Sequence, residues 1–376
     1  MASISKTEFS TYRVRYRDPI GASRSKSFKR RAEADAFAAT VEVSKLDTSY
    51  TDPKLGKTRF ADWAEDVMAT RLHLRQSTVA QNQIVLRSLV LPWFGKRRLA
   101  TVKPVDVHAW IADLTRAGYA PSTIRSAFKL VALIFEAAVT SDLIGRSPCR
   151  GVRLPPARRP EMRFLDVDEI ETLAAAADPR YRALVLTAAY TGLRWGEAAG
   201  LEVGGLDLLR RRLTVTQALS DVAGELTVGP PKTAAARRTI TMPAFLADEL
   251  GTHLGRFRSG SSDFVFTSRE DTPLRRTNFR RRDWLPAVRS SVGEPCRFHD
   301  LRHSHVALLI VANEHPKVIA QRLGHASIRT TLDVYGHLFD GLDQAAADRL
   351  DALRSGSSVS DSRPIGVAEV IPLNVN

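Results

Sequence analysis

The stretch Phe298-His299-Asp300-Leu301-Arg302-His303-Ser304-His305 passes into the apolar run Val306 to Val311, then through Leu323-Gly324-His325 to Asp333-Val334-Tyr335-Gly336-His337. Residues three apart are neighbours on a helix surface, so a helix here puts His299 and Arg302 on one face. The apolar run behind them anchors that face to a core. Gly324 reads as a helix stop, and Ser327 as the N-cap of a short helix that carries Tyr335 in its last turns. Two imidazoles, a guanidinium and a phenol are thereby strung along a helical hairpin. Such a set can bind a phosphate and attack it.

Upstream, the region from about Phe164 opens on Asp166-Val167-Asp168-Glu169-Ile170, an acidic helix start. Tyr181 to Tyr190 is nearly all apolar and reads as a buried helix, ending at Thr191-Gly192-Leu193-Arg194-Trp195-Gly196-Glu197. A charged pair at the end of a buried helix is costly unless partnered, so Arg194 and Glu197 call for explanation. Strand-like runs follow at Leu213 to Thr216, Glu225 to Val228 and Arg238 to Met242, with Asp263 to Phe266 as a further short extended piece. Pro230-Pro231-Lys232-Thr233 places Lys232 at the end of a hairpin between the last two long runs.

Further out, residues 58–146 read as helical. Phe60, Trp63, Ala64 and Val67 keep helical spacing, as do Ile84, Leu86, Leu89 and Val90, with Pro92 and Gly95 ending that segment. Pro104 opens a helix with Val107, Trp110, Ile111 and Leu114 inward. Another runs from Thr123 to about Thr140, with Ile124, Phe128, Val131, Phe135 and Ala138 as its core stripe. Arg125 and Lys129 share a different face, and with exposed Arg97 and Arg98 suit a module that straddles a duplex. Pro148, Pro155, Pro156 and Pro160, with arginines between them, mark an extended basic linker. At the N-terminus, Tyr12-Arg13-Val14-Arg15-Tyr16-Arg17 alternates strictly, a strand with arginines on one face. Asp18 to Gly21 is turn chemistry, Arg24 to Phe28 the returning strand, and Ala32 to Val43 a helix burying Ala36, Phe37, Thr40 and Val41. Arg13, Arg15, Arg17, Lys29 and Arg30 make this sheet a candidate DNA-reading ribbon. Asp52 to Gly56 reads as a linker.

Composition agrees with that reading. The 376 residues exceed what one core usually serves, so two or three domains are expected, and 44% hydrophobic content excludes a disordered chain. The formal charge of +14 points to a polyanion, nucleic acid before an anionic membrane surface. A high-GC genome also enriches arginine, so the clustering of the cations decides. No apolar run approaches the roughly 18 residues of a membrane span, and no signal core is present. A cytoplasmic chain without a membrane partner is expected. Cys149 and Cys296 offer neither a disulfide nor a metal pattern. His299-x-x-x-His303 and His303-x-His305 lack the glutamate and third ligand of a zinc site, so no metal is expected. His303, His305 and His337 read as ordinary helix residues. No glycine-rich phosphate loop is present.

Arg194 in its Thr-Gly-Leu-Arg context, Lys232, the His299-x-x-Arg302 pair, Leu323-Gly324-His325 and Tyr335 together resemble the tyrosine recombinases, the phage integrase family. All six stand in the family's order, with its short spacing from His325 to Tyr335. The resemblance spans roughly residues 58–340. It implies a mainly α fold with a small antiparallel sheet in a mixed α/β catalytic domain. Ahead of that lie a helical core-binding domain and an N-terminal α+β arm-binding module. The expected domains are 1–52 (arm-type DNA binding), 58–147 (core binding) and 160–353 (catalysis), followed by a tail at 354–376.

The resemblance implies that Arg194, Lys232, His299, Arg302, His325 and Tyr335 are catalytic. Tyr335 would form a 3′-phosphotyrosyl bond, and Lys232 would protonate the departing 5′ oxygen. Two guanidiniums meet a phosphate through planar bidentate contacts that lysine cannot match. A phenol with an ordinary pKa near ~10 attacks well only if its proton is accepted or its anion stabilised. His299 and His325 are the candidates, as base or as donors to the phosphoryl oxygens, while Glu197 orients Arg194 or a backbone turn. The covalent bond keeps the energy of the broken one, so no cofactor is expected. The implied function is integration or excision of a phage or mobile element. The implied partner is double-stranded DNA at core and arm-type sites, bound by a homotetramer working through a Holliday junction, with room for an accessory DNA-bending or directionality protein. A chromosome-dimer recombinase, a type IB topoisomerase and a non-enzymatic DNA-binding regulator are the alternatives.

Overall fold

The computed structural model describes residues 2–7, 10–17, 23–46, 57–156, 162–222, 224–231, 233–257 and 263–339, with 347, 348, 350, 351 and 354. The chain divides into two compact units, Met1–Arg159 and Pro160–Asn376. The turn expected at 18–21, the linker at 52–56 and the tail beyond 354 lie outside the described residues.

The first unit opens with β1 (Ser3–Lys6), β2 (Tyr12–Arg17) and β3 (Ser23–Phe28), an antiparallel sheet in that order. Helix α1 (Arg31–Leu46) packs on one face. Val14 and Tyr16 are buried with Ala34 and Val41, while Arg13, Arg15 and Arg17 stand exposed on the other face. Their cross-strand neighbours are serines: Ser5 and Ser27 on either side of Arg13, Ser3 and Ser25 on either side of Arg15, and Ser23 beside Arg17. The α1 stripe is rotated from the expected one, with Ala36 and Thr40 exposed. Phe37 sets the rotation by packing 5.8 Å from Tyr16 and 5.1 Å from Phe28, which brings Ala34 and Val41 inward.

The helices of this unit are α2 (Phe60–Ala69), α3 (Gln76–Val85), α4 (Leu91–Phe94), α5 (Pro104–Arg116) and α6 (Pro121–Thr140). All four expected α5 residues are buried, as are Ile124, Val131, Phe135 and Ala138 of α6. Phe60, Phe94, Trp110 and Phe135 meet edge-on or tilted at the centre, and the Trp110 indole donates to the Leu89 carbonyl at 2.8 Å. Ile84 departs from the expectation and is exposed. A π turn over Leu86–Val90 shifts the register, turning Leu86, Leu89 and Val90 inward and leaving Ile84 out. Pro92 stands in the first turn of α4 rather than closing the segment.

In the second unit, α7 (Val167–Ala176) starts at a reciprocal cap in which Asp166 accepts from the Glu169 amide at 2.8 Å and Glu169 from the Asp166 amide at 3.2 Å. Helix α8 (Pro179–Thr191) is buried almost throughout and is packed by α7. After the short α9 (Trp195–Ala199) come β4 (Leu206–Asp207), β5 (Arg212–Val215), β6 (Ala218–Val222), β7 (Glu225–Gly229) and β8 (Arg238–Thr241). They form one sheet ordered β4-β5-β8 and a separate β6-β7 pair.

This corrects the expected hairpin. Strand β6, which the sequence reading passed over, takes its neighbour β7 as partner, so the segment between β7 and β8 crosses between two sheets. Lys232 itself lies outside the described residues. Asp263 to Phe266 contributes only a bridge from Phe264 to Glu202.

Helices α10 (Ala244–Phe257), α11 (Arg276–Phe279), α12 (Leu285–Ser290), α13 (Asp300–Val311), α14 (Pro316–Leu323) and α15 (Ile328–Tyr335) complete the unit, with α10 and α13 also against α8. Val306, Ile310, Ile319, Leu323, Tyr335 and Leu338 share one cluster, so the apolar run of α13 anchors α14 and α15. Among the described residues no helix is long and apolar enough to cross a membrane. Asp166→Ala removes one half of the α7 cap and should lower stability by about 1 kcal/mol. A urea titration following the second unit checks this; an unchanged midpoint would contradict the cap's contribution.

Candidate active site

Helix α8 ends at Gly192, whose φ of 67° is left-handed. A Cβ there would lie 2.7 Å from the His305 ring and 2.8 Å from Leu323, so the turn requires glycine. Two residues on, Arg194 caps α9. Its Nη1 donates to Glu197 Oε1 at 2.7 Å and its backbone N–H to Oε2 at 3.1 Å. Glu197 is buried and also accepts from Arg238 Nη2 at 3.1 Å. Burial pushes its carboxyl upward, but Arg238 and Arg194 outweigh that and hold it below the usual range.

Arg302 is 3% exposed. Its Nη1 donates to the Gly192 carbonyl, and its Nη2 to the Leu323 carbonyl at 2.8 Å and to His325 Nε2 at 3.1 Å. A guanidinium only donates, so His325 Nε2 is the acceptor and its Nδ1 carries the proton, donating to Thr331 Oγ1 at 2.9 Å. The ring is neutral at pH 7, because burial and then the Arg302, Arg194 and Arg238 cations push it down to about 4.

Tyr335, also 3% exposed, ends α15, with its hydroxyl 2.8 Å from His303 Nδ1. Burial raises the phenol to about 12, and Arg302 and Arg194 act in the opposite sense. Both guanidiniums therefore reach this hydroxyl through their field. His299 precedes α13 on the exposed side and packs edge-on against His303 at 4.9 Å.

The fold thus gathers Arg194, Arg302 and His325 at one centre and sets Tyr335 on His303 beside it. His303 and His305 are not the ordinary helix residues expected. His303 holds the Tyr335 hydroxyl. His305 is enclosed, its Nε2 lies 3.5 Å from the Arg322 Nε donor, and burial pushes it down to about 3. The i, i+4 spacing of His299 and His303 was a usable signal for a shared face. Arg238 gave none, since an arginine opening a strand is commonplace. The His337 side chain lies outside the described residues.

Of the cations expected to meet DNA, Arg13, Arg15, Arg17, Lys29, Arg30 and Lys129 are exposed. Arg125 is half-buried and donates to the Pro155 carbonyl at 3.4 Å, and Arg97 pairs with Asp106 at 2.9 Å, so neither stands free as expected. A cluster the sequence reading passed over is Arg276, Arg280, Arg281 and Arg282, exposed on α11 and the turn after it.

Residues 163–341 match the phage integrase family. That segment is a phage integrase domain. The chain's relatives among integrases include the ICEBs1 integrase of Bacillus subtilis, 29% identical over 287 residues that cover 73% of this chain and 77% of the relative. The integrase of Mycobacterium phage L5 is 26% identical over 274 residues, covering 71% and 72%. In fold, the chain is similar to the Tn1549 transposon integrase in complex with a circular intermediate DNA, with a TM-score of 0.68 at 19% identity, covering 78% of this chain and 99% of the other. It is also similar to a lambda integrase tetramer bound to a Holliday junction, with a TM-score of 0.56 at 17% identity, covering 86% and 95%.

An unfolded histidine takes up a proton near pH ~6.5, whereas folded His325 and His305 resist it. The unfolded chain therefore binds more protons, and stability is full above about pH 6.5 and lost as pH falls towards His325's folded value of about 4. The thermal midpoint should decline across that window, less steeply in His325→Asn. An identical slope in the variant would refute the neutral-imidazole assignment.

Proposed function

We propose that this chain is a site-specific DNA recombinase that cuts and rejoins strands through a covalent 3′-phosphotyrosyl intermediate on Tyr335. One observation carries the reading: Arg302 is bonded to His325 and to the Gly192 carbonyl two residues before Arg194, and the Tyr335 hydroxyl meets His303, the neighbour of Arg302 on α13. Arg194 and Arg302 bind the scissile phosphate and take up the negative charge that grows on its non-bridging oxygens. The Tyr335 oxygen attacks phosphorus; its bond to phosphorus forms as the bond to the 5′ oxygen breaks, and Lys232 supplies the proton that oxygen needs. His299 serves as base for the Tyr335 proton, and His325 donates to the phosphoryl oxygens through Nδ1 once α15 has carried Thr331 away. Rejoining reverses these steps and draws on the energy kept in the phosphotyrosyl bond.

With Tyr335 only 3% exposed, α15 must shift to present the hydroxyl to a DNA phosphate, leaving His303 as it does so.

The similarity to integrases of phages and mobile elements supports integration or excision as the biological reaction. The fold's likeness to a lambda integrase tetramer on a Holliday junction supports double-stranded DNA as substrate and a tetramer as the working assembly. Residues 160–353 then perform catalysis, 58–147 hold the core site with Lys129 against the DNA backbone, and 1–52 bind flanking arm sites. The serine-flanked Arg13, Arg15 and Arg17 face, with Lys29 and Arg30 beyond it, supports that last assignment.

Nicked duplexes carrying the attachment sequence, incubated with protein and no divalent ion, should yield a covalent adduct on denaturing gels. Tyr335→Phe should abolish it, and an adduct that persists in this variant would sink the nucleophile assignment. Replacing Arg13, Arg15 and Arg17 with serine should weaken binding to flanking DNA. The log–log salt dependence should become shallower by about 0.9 for each phosphate that the variant no longer neutralises, with core-site cleavage retained. Cleavage that falls as far as binding would contradict the modular assignment.

A further inference from the structure

Arg238 belongs to none of the residue sets expected from the sequence, yet its side chain is held in three directions. Its side chain, at the start of β8, is 7% exposed. Its three donor positions are committed in three directions: Nη2 to Glu197 Oε2 at 3.1 Å, Nε to the Arg322 carbonyl at 2.5 Å and Nη1 to the Ala236 carbonyl at 2.9 Å. The first bond reaches the carboxylate that also holds Arg194, and the second reaches the end of α14, three residues before His325. A Cβ on Gly324 would stand 2.9 Å from Ala235 O and Ala236 Cα, so the strand's approach and the Leu323-Gly324-His325 turn are in close contact as well.

From this geometry we infer that Arg238 is a positioning residue for the phosphate site, acting through Arg194 by sharing the Glu197 carboxylate. This rests on the reading of Arg194 as a phosphate ligand. Glu197 is the carboxylate that bonds both guanidiniums, and Arg302 stands close enough for its charge to be felt by the same group. With two arginines on one carboxylate, neither is neutralised, and Arg194, at 31% side-chain exposure, keeps positive charge for an incoming phosphate. Without Arg238, the whole of the Glu197 charge falls on Arg194 and its pull on phosphate weakens. The bond to the Arg322 carbonyl adds a mechanical tie, so that the Arg194 side and the His325 side of the site keep their spacing.

The mechanism predicts a dependence on substrate charge that a merely structural residue would not show. Single-turnover adduct formation is measured on nicked duplexes with either a phosphodiester or a methylphosphonate at the scissile position; the methyl group removes the charge on the non-bridging oxygens. Arg238→Gln keeps a donor for the Arg322 carbonyl and removes the charge. It should slow phosphodiester cleavage by about a hundred-fold. On the methylphosphonate the defect should shrink to less than about ten-fold. Arg238→Lys keeps the charge on Glu197 and should stay within about ten-fold of wild type on both substrates.

Equal Gln defects on the two substrates, or none on either, would overturn the proposal. Lysine as slow as glutamine on the phosphodiester would do the same. If Arg238→Gln no longer melts cooperatively, the lysine variant decides: near-wild-type cleavage supports the proposal and equal slowing on both substrates overturns it. A wild-type chain that forms no Tyr335-dependent adduct overturns the active-site reading, and this inference with it. A normal wild-type adduct beside equal variant defects removes only the role of Arg238.

Discussion

A guanidinium taken out of water needs acceptors for its donors, and the second unit is built around meeting that need for Arg302. The acceptors are the Gly192 carbonyl at the end of α8, the Leu323 carbonyl at the end of α14 and the His325 ring. Both carbonyls come from helix C-termini, where unpaired oxygens and the helix dipole concentrate negative potential. Both ends are closed by left-handed glycines, Gly192 and Gly324, which let the chain turn away while the carbonyls face the cation. Burial pulls the arginine's proton affinity down, and this cage keeps the charged form in place.

Three consequences follow from that arrangement. Helices α8, α13 and α14 are fixed relative to one another by a single side chain as well as by apolar packing. His325 is locked into one tautomer, because the nitrogen that meets Arg302 has to accept. The positive field of Arg302 and Arg194 reaches the Tyr335 phenol, whose own burial otherwise disfavours the anion. Positioning and electrostatics therefore come from the same bonds, and a change to one changes the other.

Around that cage sits a wider layer of arginine. Arg322 donates to the Thr241 and Tyr190 carbonyls at 3.2 and 3.3 Å, and Arg238 joins β8 to the end of α14. Glu197 is the counter-charge bonded to both Arg194 and Arg238. A centre with more cation than anion is unfavourable in an isolated chain and becomes favourable when a polyanion arrives.

The sequence by itself determined the local structure. The acidic helix start at 166–170, the glycine stop at 324, the Ser327 cap and the inward stripe of α5 follow from rules that act within a few residues, and each is where the pattern put it. The alternation of Tyr12 to Arg17 likewise fixed which face of β2 carries its arginines. Only the tertiary structure decided what depends on distant partners. Strand β8 pairs with β5 across the whole of β6 and β7, which no short window of sequence reveals. The π turn at 86–90 rotated Ile84 outward, and Phe37 set the roll of α1. His303 meets Tyr335 from 32 positions away, and Arg238 meets Glu197 from 41, so both pairings exist only once the helix ends have been brought around the buried guanidinium.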